Sequence, residues 1–252
     1  MMKAQRVNAI LEYVRQHGSV SLDELVEVFN VSKNTIRRDV QELADTEQLE
    51  KVYGGVSIAK PLTVPYQDRK VKKFREKQAL AQLAAQFVKD GDIIFIDSGT
   101  TTGEMLEFIR DKHITIVTNN LDFTLEATGY PNLSIYSTGG MFERSTRSYV
   151  GTESADIIRK YNFNKAFMAS TGLSLSKGVT NSSPLETQIK SQVIEKSEQV
   201  FVLVDHSKFG KYSLTTYCDF KQIDYLITDK QPDEDYIKHS KENYYEILYP
   251  EQ

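Results

Sequence analysis

The sequence has 252 residues, which is enough for one large domain or two of ordinary size. Hydrophobic residues make up 40% of the chain and charged residues 26%, a composition that excludes an intrinsically disordered protein. The formal net charge of −4 argues against indiscriminate binding to polyanions. Any contact with nucleic acid must therefore come from a local basic patch.

The sequence also limits the compartment. Cys218 is the one cysteine, so neither an internal disulfide nor a multi-cysteine metal site can form. Four charged residues interrupt any signal-peptide core near the N-terminus: Lys3, Arg6, Glu12 and Arg15. No stretch approaches the roughly 18 apolar residues that span a bilayer. These features favour a cytoplasmic protein without membrane contacts.

Three helical patterns and a hairpin pattern fill the first 60 residues. Apolar residues at helical spacing predict a first helix over residues 3–17. Ser21 is positioned to cap a second helix, with Glu24 at the capping-box position. A third helix opens after Ser32, and QLEKVYGGVSIA predicts two short strands. Together these elements predict a winged helix-turn-helix domain over residues 1–60.

The third predicted helix is basic on the side opposite its apolar stripe of Ile36, Val40 and Leu43. A charged helix face is ordinarily only solvated, but in a helix-turn-helix it favours a recognition helix in a DNA major groove. For Asp39, by contrast, we expect a structural role, as the partner of an arginine or as a cap. The candidate DNA-binding residues are Ser32, Lys33, Asn34, Thr35, Arg37 and Arg38, together with Lys51, Tyr53 and Gly54 of the wing.

A long motif passes through this region. It begins at Arg6, continues with apolar residues four and eight positions later, and ends in SKNTIRRDV at residues 32–40. This spacing resembles the signature of the DeoR family of bacterial transcriptional regulators. YGGV at residues 53–56 resembles the family's wing motif, although Tyr53 replaces the usual His and Gln48 stands where a Gly often begins the wing. The resemblance implies that this domain binds DNA.

A linker and an α/β domain follow. KPLTVPYQD, residues 60–68, contains two prolines and predicts a linker. The next nine residues, RKVKKFREK, hold six cations and one acid and begin a helix predicted near residues 69–89. This run is either a solvated face or a contact to DNA or to an anionic ligand. Beyond it, short β-branched apolar runs alternate with helical patterns, which predicts a mostly parallel sheet covered on both faces. We predict a linker and basic segment over 61–77 and an effector-sensing α/β domain over 78–252.

Small polar residues or glycines follow five of the predicted strands. Ligands of open parallel sheets bind outside the carboxyl ends of the strands, so five such endings indicate a pocket. The loop SGTTT, residues 98–102, could hold a phosphate at a helix N-terminus, although it is not a Walker loop. Asp97 could accept a hydrogen bond from a ligand hydroxyl or tie down the loop. Asp205 and Lys208 could bind sugar hydroxyls and a phosphate, or form a surface ion pair.

The resemblance to the DeoR family extends through this domain. Arg69 and Lys77 match an Arg–x7–Lys pair, and the segments DSGTT, TN, GG and DHSKFG resemble a DeoR-type sensor domain, which is similar in fold to ribose-5-phosphate isomerase. The resemblance implies a pocket for a phosphorylated sugar whose occupancy changes operator affinity. For Glu186 we expect a structural role. The candidate effector-binding residues are Arg69, Lys77, Asp97, Ser98, Gly99, Thr100, Thr101, Thr118, Asn119, Gly139, Gly140, Asp205 and Lys208.

The expected function is transcriptional regulation, as a repressor of a sugar or polyol catabolic operon. One small head covers too little DNA for tight specific binding, so we expect a homo-oligomer on operator DNA. We expect no cofactor, no metal and no enzymatic activity. The first alternative is a sugar-phosphate isomerase with an accessory head, but no acid–base pair of the kind that chemistry needs stands out. The second is a module that recruits proteins without sensing a metabolite.

Overall fold

The computed structural model describes residues 3–17, 19–45, 48–52, 54–58 and 66–250. The chain divides into two compact units, Met1–Thr63 and Val64–Gln252. Tyr53 of the predicted wing, and Pro61 and Pro65 of the predicted linker, lie outside the described residues. Within the described ranges, no helix is both long enough and apolar enough to cross a membrane.

The first unit is a winged helix-turn-helix, as predicted. Its elements are α1 (Lys3–His17), β1 (Ser19–Ser21), α2 (Leu22–Phe29), α3 (Lys33–Asp45), β2 (Leu49–Val52) and β3 (Gly55–Ile58). Strands β2 and β3 form the predicted antiparallel hairpin. Strand β1, which the sequence does not predict, pairs with the other side of β3. A three-stranded sheet therefore stands beside the three helices.

The apolar stripes of the three helices meet in one core. Ile10, Leu25 and Ile36, one from each helix, are all fully buried. Ser21 Oγ accepts a hydrogen bond from Glu24 N at 3.0 Å, which caps α2 as predicted. Helix α2 ends at Asn30, whose left-handed backbone allows the tight turn into α3.

The second unit is built on a seven-stranded parallel sheet. The strands of the whole unit are β4 (Ile93–Ile96), β5 (Ile114–Thr118), β6 (Leu133–Ser137), β7 (Met141–Glu143), β8 (Ser148–Val150), β9 (Phe163–Ala169), β10 (Gly172–Ser174), β11 (Gly178–Asn181), β12 (Ser197–Leu203), β13 (Thr215–Cys218), β14 (Tyr225–Ile227) and β15 (Glu246–Leu248). The large sheet has the order β15-β14-β12-β9-β4-β5-β6, and every pairing in it is parallel. The predicted parallel sheet is confirmed.

Helices cover both faces of this sheet. They are α4 (Tyr66–Val71), α5 (Phe74–Ala85), α6 (Thr100–Gly103), α7 (Leu106–Ile109), α8 (Leu121–Ala127), α9 (Thr152–Ile158), α10 (Pro184–Glu195) and α11 (Glu234–Asn243). Alternate residues of a strand point to opposite faces, so Phe95 of β4 enters one core while Ile94 and Ile96 enter the other. Burial on both faces explains why the strand sequences are apolar throughout.

The predicted helix over residues 69–89 is wrong in its bounds. Helix α4 begins at Tyr66, so residues 66–68 are helical although the sequence predicts a linker there. Helix α5 then begins at Phe74 and ends at Ala85. Lys73 separates the two helices because its φ of 54° is left-handed and cannot continue a right-handed helix.

The sequence also misses two small antiparallel sheets. Strands β7 and β8 form one, and strands β10, β11 and β13 form the other. Each of these strands has three or four residues, too few for a recognisable alternation of apolar and polar positions. They add polar segments above the carboxyl edge of the large sheet.

Candidate functional site

The exposed face of α3 carries the predicted recognition residues. Lys33, Asn34, Arg37 and Arg38 are exposed, whereas the apolar stripe of the same helix is buried. Within the described ranges, the side chains of Arg37 and Arg38 form no hydrogen bond or ion pair. Lys33 Nζ lies 2.5 Å from Asp23 Oδ1 in an exposed ion pair. Both arginines are therefore available to an external partner.

The start of α3 is organised by Ser32. Its Oγ accepts a hydrogen bond from Thr35 N at 3.2 Å and lies 2.9 Å from Thr35 Oγ1. This cap satisfies one of the first N–H groups of the helix. The remaining N–H groups at this exposed end can donate to a phosphate.

Asp39 is buried and paired with Arg6. Arg6 Nε donates to Asp39 Oδ2 at 2.6 Å, and Nη2 donates to Oδ1 at 3.3 Å. This hydrogen bonding raises the pKa of the Arg6 guanidinium. The pair joins α1 to α3 and keeps the carboxylate off the face that would meet phosphates. The structural role expected for Asp39 is thus found, with a partner 33 residues away.

The wing contributes a basic residue beside α3. Lys51 of β2 is exposed and donates to Gln41 Oε1 of α3. Gln41 Nε2 in turn donates to Asp45 Oδ1 at 2.5 Å. Gly54, at the hairpin turn, has a φ of +79° and no atom near the position of a Cβ. Glycine is favoured there because this backbone conformation strains other residues, although a side chain would have space.

Cations gather around a single carboxylate beyond the end of β12. Lys73 Nζ lies 2.5 Å from Asp205 Oδ1, which also accepts hydrogen bonds from Ser207 N and Ser207 Oγ. Burial acts to raise the pKa of Asp205, but Lys73 and Ser207 outweigh it and lower the pKa to about 2. Asp205 is therefore ionised and already engaged by a protein cation.

Two further cations near Asp205, Lys77 and Lys208, lie in surroundings that disfavour their charged forms. Burial lowers the pKa of Lys77 to about 8, and the positive charge of Arg69 adds to the effect against the opposing charge of Glu104. Burial also lowers the pKa of Lys208. Within the described part of the chain, neither lysine has a carboxylate within 4 Å. Their positive charges are not neutralised locally.

Arg69 completes this basic group. Its guanidinium lies 5.6 Å from the centre of the Tyr66 ring, and its carbonyl accepts a hydrogen bond from Lys77 Nζ. Its Nε is buried and has no hydrogen-bond partner among the described residues. We call Arg69, Lys77 and Lys208 the cation group. The structure brings these three sequence-predicted residues together.

The DSGTT loop follows β4. Asp97 is fully buried, and its Oδ2 accepts from Ala169 N at 2.9 Å and pairs with Lys190 of α10. Its Oδ1 has no partner in the described part of the chain. One oxygen of Asp97 therefore ties down the loop, while the other can accept a ligand hydroxyl. The sequence misses Lys190, since nothing in the helical pattern of α10 marks it.

The phosphate site predicted at the N-terminus of the next helix has a weaker basis in the structure. Helix α6 has only four residues, Thr100–Gly103, and one turn has little macrodipole. Thr100 is buried and Thr101 half-buried. An added Cβ at Gly99 would collide with the Ala169 side chain, so close packing explains this glycine.

The Glu186 carboxylate accepts hydrogen bonds from three separate segments of the chain. Its Oε1 accepts from Ser98 Oγ at 3.0 Å and from Ser148 Oγ at 3.2 Å. Its Oε2 accepts from Asn181 Nδ2 at 3.0 Å. The carboxylate is buried and fully hydrogen-bonded, an arrangement that rigidifies the polar network. Ser98 is thereby committed to the protein interior.

The end of β5 presents amide groups. Thr118 Oγ1 donates to Ile96 O at 2.6 Å and accepts from Asn120 N at 3.0 Å, so its hydroxyl is satisfied internally. Asn119 Nδ2 donates to Tyr149 O at 3.3 Å, which leaves its Oδ1 without a partner among the described residues. Asn120, which is not among the sequence-predicted site residues, is completely buried.

The two glycines after β6 differ in their surroundings. Gly140 has a φ of +99°, and an added Cβ would collide with Ser154 Oγ and Val150 O. Gly139 has a φ of +60° and open space around the Cβ position. Ser154 Oγ donates to Gly139 O. Gly140 is therefore required by the packing of the turn, whatever its part in ligand binding.

Unsatisfied polar atoms mark this edge of the sheet. In the described part of the chain, four buried side-chain atoms have no hydrogen-bond partner: Arg69 Nε, Asp97 Oδ1, Asn119 Oδ1 and Asn120 Nδ2. Three of them directly follow the neighbouring strands β4 and β5. Leaving a buried polar group unsatisfied costs about 1–3 kcal/mol. A ligand with an anionic group and hydroxyl groups has the chemistry to satisfy them.

A cavity of about 520 Å3 lies on another side of α4 and α5. Thr100 is the one candidate effector residue among those that line it. Four carboxylates line the cavity, those of Glu104, Glu107, Asp122 and Glu126, against the single cation of Lys70. Burial raises the pKa of Glu104. So acidic a cavity repels phosphate, and it is distinct from the cation group.

Comparison with known families agrees with both units. Residues 6–61 match the DeoR-like helix-turn-helix domain. Residues 72–230 match the DeoR C terminal sensor domain. The chain belongs to the DeoR family. It is a DNA-binding transcriptional regulator, and the predicted resemblance is confirmed.

Relatives match along nearly the whole chain. It is 44% identical over 244 residues to the HTH-type transcriptional regulator IolR of Bacillus subtilis (strain 168), covering 96% of this chain and 97% of that protein. It is 31% identical over 234 residues to the glycerol-3-phosphate regulon repressor of Escherichia coli (strain K12), covering 92% and 93%. Ribose 5-phosphate isomerase A from Methanocaldococcus jannaschii aligns over 53% of each chain, with 19% identity and a TM-score of 0.39.

Proposed function

We propose that this chain represses a sugar or polyol catabolic operon and that a phosphorylated sugar, bound at the carboxyl ends of the large sheet, weakens its hold on the operator. One observation carries the proposal. The cation group has no neutralising carboxylate of its own within the described residues, and it shares the sheet edge with unsatisfied buried oxygens. Relatives named as a glycerol-3-phosphate regulon repressor and a transcriptional regulator support it.

The two parts of such a ligand have separate partners. Arg69, Lys77 and Lys208 would bind the phosphate through charge-assisted hydrogen bonds. Asp97 Oδ1 and Asn119 Oδ1 would accept from hydroxyl groups. Strands β4 and β12 are separated by β9, which places their ends on the order of 10 Å apart. An extended sugar phosphate can span that distance.

The DNA-binding part of the proposal rests on α3. Arg37 and Arg38 would contact base edges or phosphates in a major groove, with Lys51 on the neighbouring backbone. A single winged helix buries too little surface for tight specific binding, so we propose a cytoplasmic homo-oligomer that places two heads on repeated half-sites.

Fluorescence anisotropy tests the proposal directly. DNA from upstream of the neighbouring operon is titrated with the full chain at fixed salt, because salt alone changes such affinities. A panel of phosphorylated sugars is then added, with sulfate at equal ionic strength as the control. Release by one compound is expected. Binding of DNA that no compound changes would contradict effector sensing.

The isomerase alternative is tested with the same preparation. We propose that the chain has no isomerase activity, and incubation with ribose 5-phosphate is expected to give no ketose product. Buried Asp97 is already paired with Lys190, and Asp205 with Lys73, so neither carboxylate is an unengaged general base. Turnover of this substrate would overturn the assignment as a non-enzyme.

A further inference from the structure

We propose that Lys73 reports effector occupancy, by moving its ammonium group from Asp205 in the empty site to the anionic group of a bound effector. The inference rests on the proposed function, because it concerns regulation of the same site. No sequence motif singles out Lys73, which is one of six cations in RKVKKFREK. Its position and its partner distinguish it from the other five.

Lys73 is the junction between α4 and α5. Its φ of 54° and ψ of 42° are left-handed, a conformation that residues with a side chain rarely adopt outside tight turns. Such a backbone persists only when surrounding contacts hold it, and it concentrates at switch regions. The side chain of Lys73 forms an ion pair with Asp205.

The charges around this ion pair are unequal. Lys73 and Asp205 neutralise each other at 2.5 Å, with side chains that are 24% and 9% exposed. Arg69, Lys77 and Lys208 remain unneutralised beside them. An incoming phosphate is attracted by these three cations and repels the Asp205 carboxylate. It therefore competes directly with Asp205 for the Lys73 ammonium.

The structure leaves room for the junction to move. Residues on either side of it line the cavity of about 520 Å3: Tyr66 and Lys70 of α4, and Phe74 and Gln78 of α5. Phe74, next to Lys73, is 45% exposed. Lys70 Nζ and Glu126 Oε1 form a pair at 2.8 Å on the surface, where such pairs stabilise little. This exposed pair and the partly exposed Phe74 therefore add little resistance to a change at the junction.

The junction is also well placed in sequence. Helix α4 begins at Tyr66, directly after the predicted linker to the DNA-binding unit. The carbonyl of Arg69, in the last turn of α4, accepts from Lys77 Nζ, a member of the cation group. A ligand that draws Lys73 and Lys77 toward itself thus acts on both ends of the α4–α5 junction. The affected helix is the one nearest the linker.

A double-mutant cycle in the full chain tests the exchange, with inorganic phosphate as the probe and isothermal titration calorimetry as the measurement. Asp205→Asn keeps the acceptor for Ser207 N but releases Lys73, so phosphate affinity should rise roughly threefold or more. In the Lys73→Gln background the same change should give a clearly smaller gain, which comes only from removing the repulsion between Asp205 and phosphate. Lys72→Gln, which removes an exposed cation one residue away, is the matched control. A gain of equal size with and without Lys73 would overturn the exchange.

Hydrogen exchange over residues 66–77 gives a second readout. Phosphate is expected to change exchange there in the wild type and in Lys72→Gln, whereas Lys73→Gln should show the changed pattern before phosphate is added. If phosphate binds but Lys73→Gln behaves as Lys72→Gln does, this inference is wrong and the proposed function is unaffected. If the wild type binds neither inorganic phosphate nor any phosphorylated sugar, the proposed function fails and the inference falls with it.

Discussion

Arg6 Nε of α1 lies 2.6 Å from Asp39 Oδ2 of α3, and this largely buried pair lies apart from the exposed arginines of α3. The motif of the DNA-binding unit thus contains two kinds of charge. Asp39 and Arg6 fix the angle between two helices, while Arg37 and Arg38 stay available for DNA. The arrangement separates the residues that hold α3 in place from the exposed residues that we propose contact DNA.

Removing either exposed arginine should weaken operator binding without unfolding the protein. Arg37→Ala and Arg38→Ala are each expected to cost about 1–3 kcal/mol of binding free energy, roughly 5- to 150-fold in affinity. Anisotropy with operator DNA at fixed salt measures the loss. Lys3→Ala, an exposed cation on α1, is the control for general electrostatics. Equal affinities for all three variants would reject α3 as the recognition helix.

Effector affinity should fall as pH rises above about 8. The pKa of Lys77 in the empty site is about 8, lowered mainly by burial, and a bound phosphate would raise it. Below that pH the ammonium is already charged, whereas above it binding must take up a proton. The loss is at most about tenfold per pH unit. The phosphate ester, with a second pKa near 6, is already a dianion throughout this range.

Calorimetric titrations between about pH 7.5 and 9.5 measure this slope. Lys77→Met should bind effector more weakly at pH 7.5 and show a smaller slope. Lys208, whose pKa is also lowered by burial, accounts for the part that remains. In the ligand-free wild type the contribution of Lys77 to the free energy of unfolding should instead rise between pH 8 and 10.5, because the unfolded state keeps a proton that the folded state has lost. A slope in Lys77→Met equal to that of the wild type would exclude Lys77 as its source.

The buried pair of Asp97 and Lys190 should be strongly coupled. Their side chains are 1% and 4% exposed, so removing one charge leaves the other buried and uncompensated. Asp97→Asn and Lys190→Met should each lower the free energy of unfolding by about 3–5 kcal/mol. Urea denaturation of the double variant should show much of this loss recovered. Additive losses would refute the coupling, and Lys238→Met, in an exposed pair, should cost less than about 1 kcal/mol.

Neighbouring glycines after β6 should respond very differently to alanine. Gly139→Ala meets no atom and should cost only about 1–2 kcal/mol for its left-handed backbone. Gly140→Ala adds a collision with Ser154 and Val150 O, for a total of about 2–5 kcal/mol. Thermal denaturation compares the two. Similar melting temperatures would show that the turn can rearrange around a side chain.

Local periodicity explains which helices and strands could be predicted from the sequence. The apolar stripes of α1, α2 and α3 and the apolar runs of the parallel strands report burial directly, because their period matches the backbone geometry. The same reasoning predicted that the polar residues after β4, β5 and β12 lie at one edge of the sheet, since parallel strands bring their carboxyl ends together there. The sequence did not predict that the helix is divided at Lys73, because no residue type marks that left-handed turn.

The winged helix-turn-helix, the parallel sheet and the residue types at its carboxyl edge could all be predicted from the order of residues along the chain. The partner of each buried carboxylate depends on how the chain packs: Arg6 for Asp39, Lys190 for Asp97 and Lys73 for Asp205. These partners lie 33, 93 and 132 residues apart. Periodicity reports energies between positions a few residues apart, whereas an ion pair depends on distance in space, which the packing of distant elements sets.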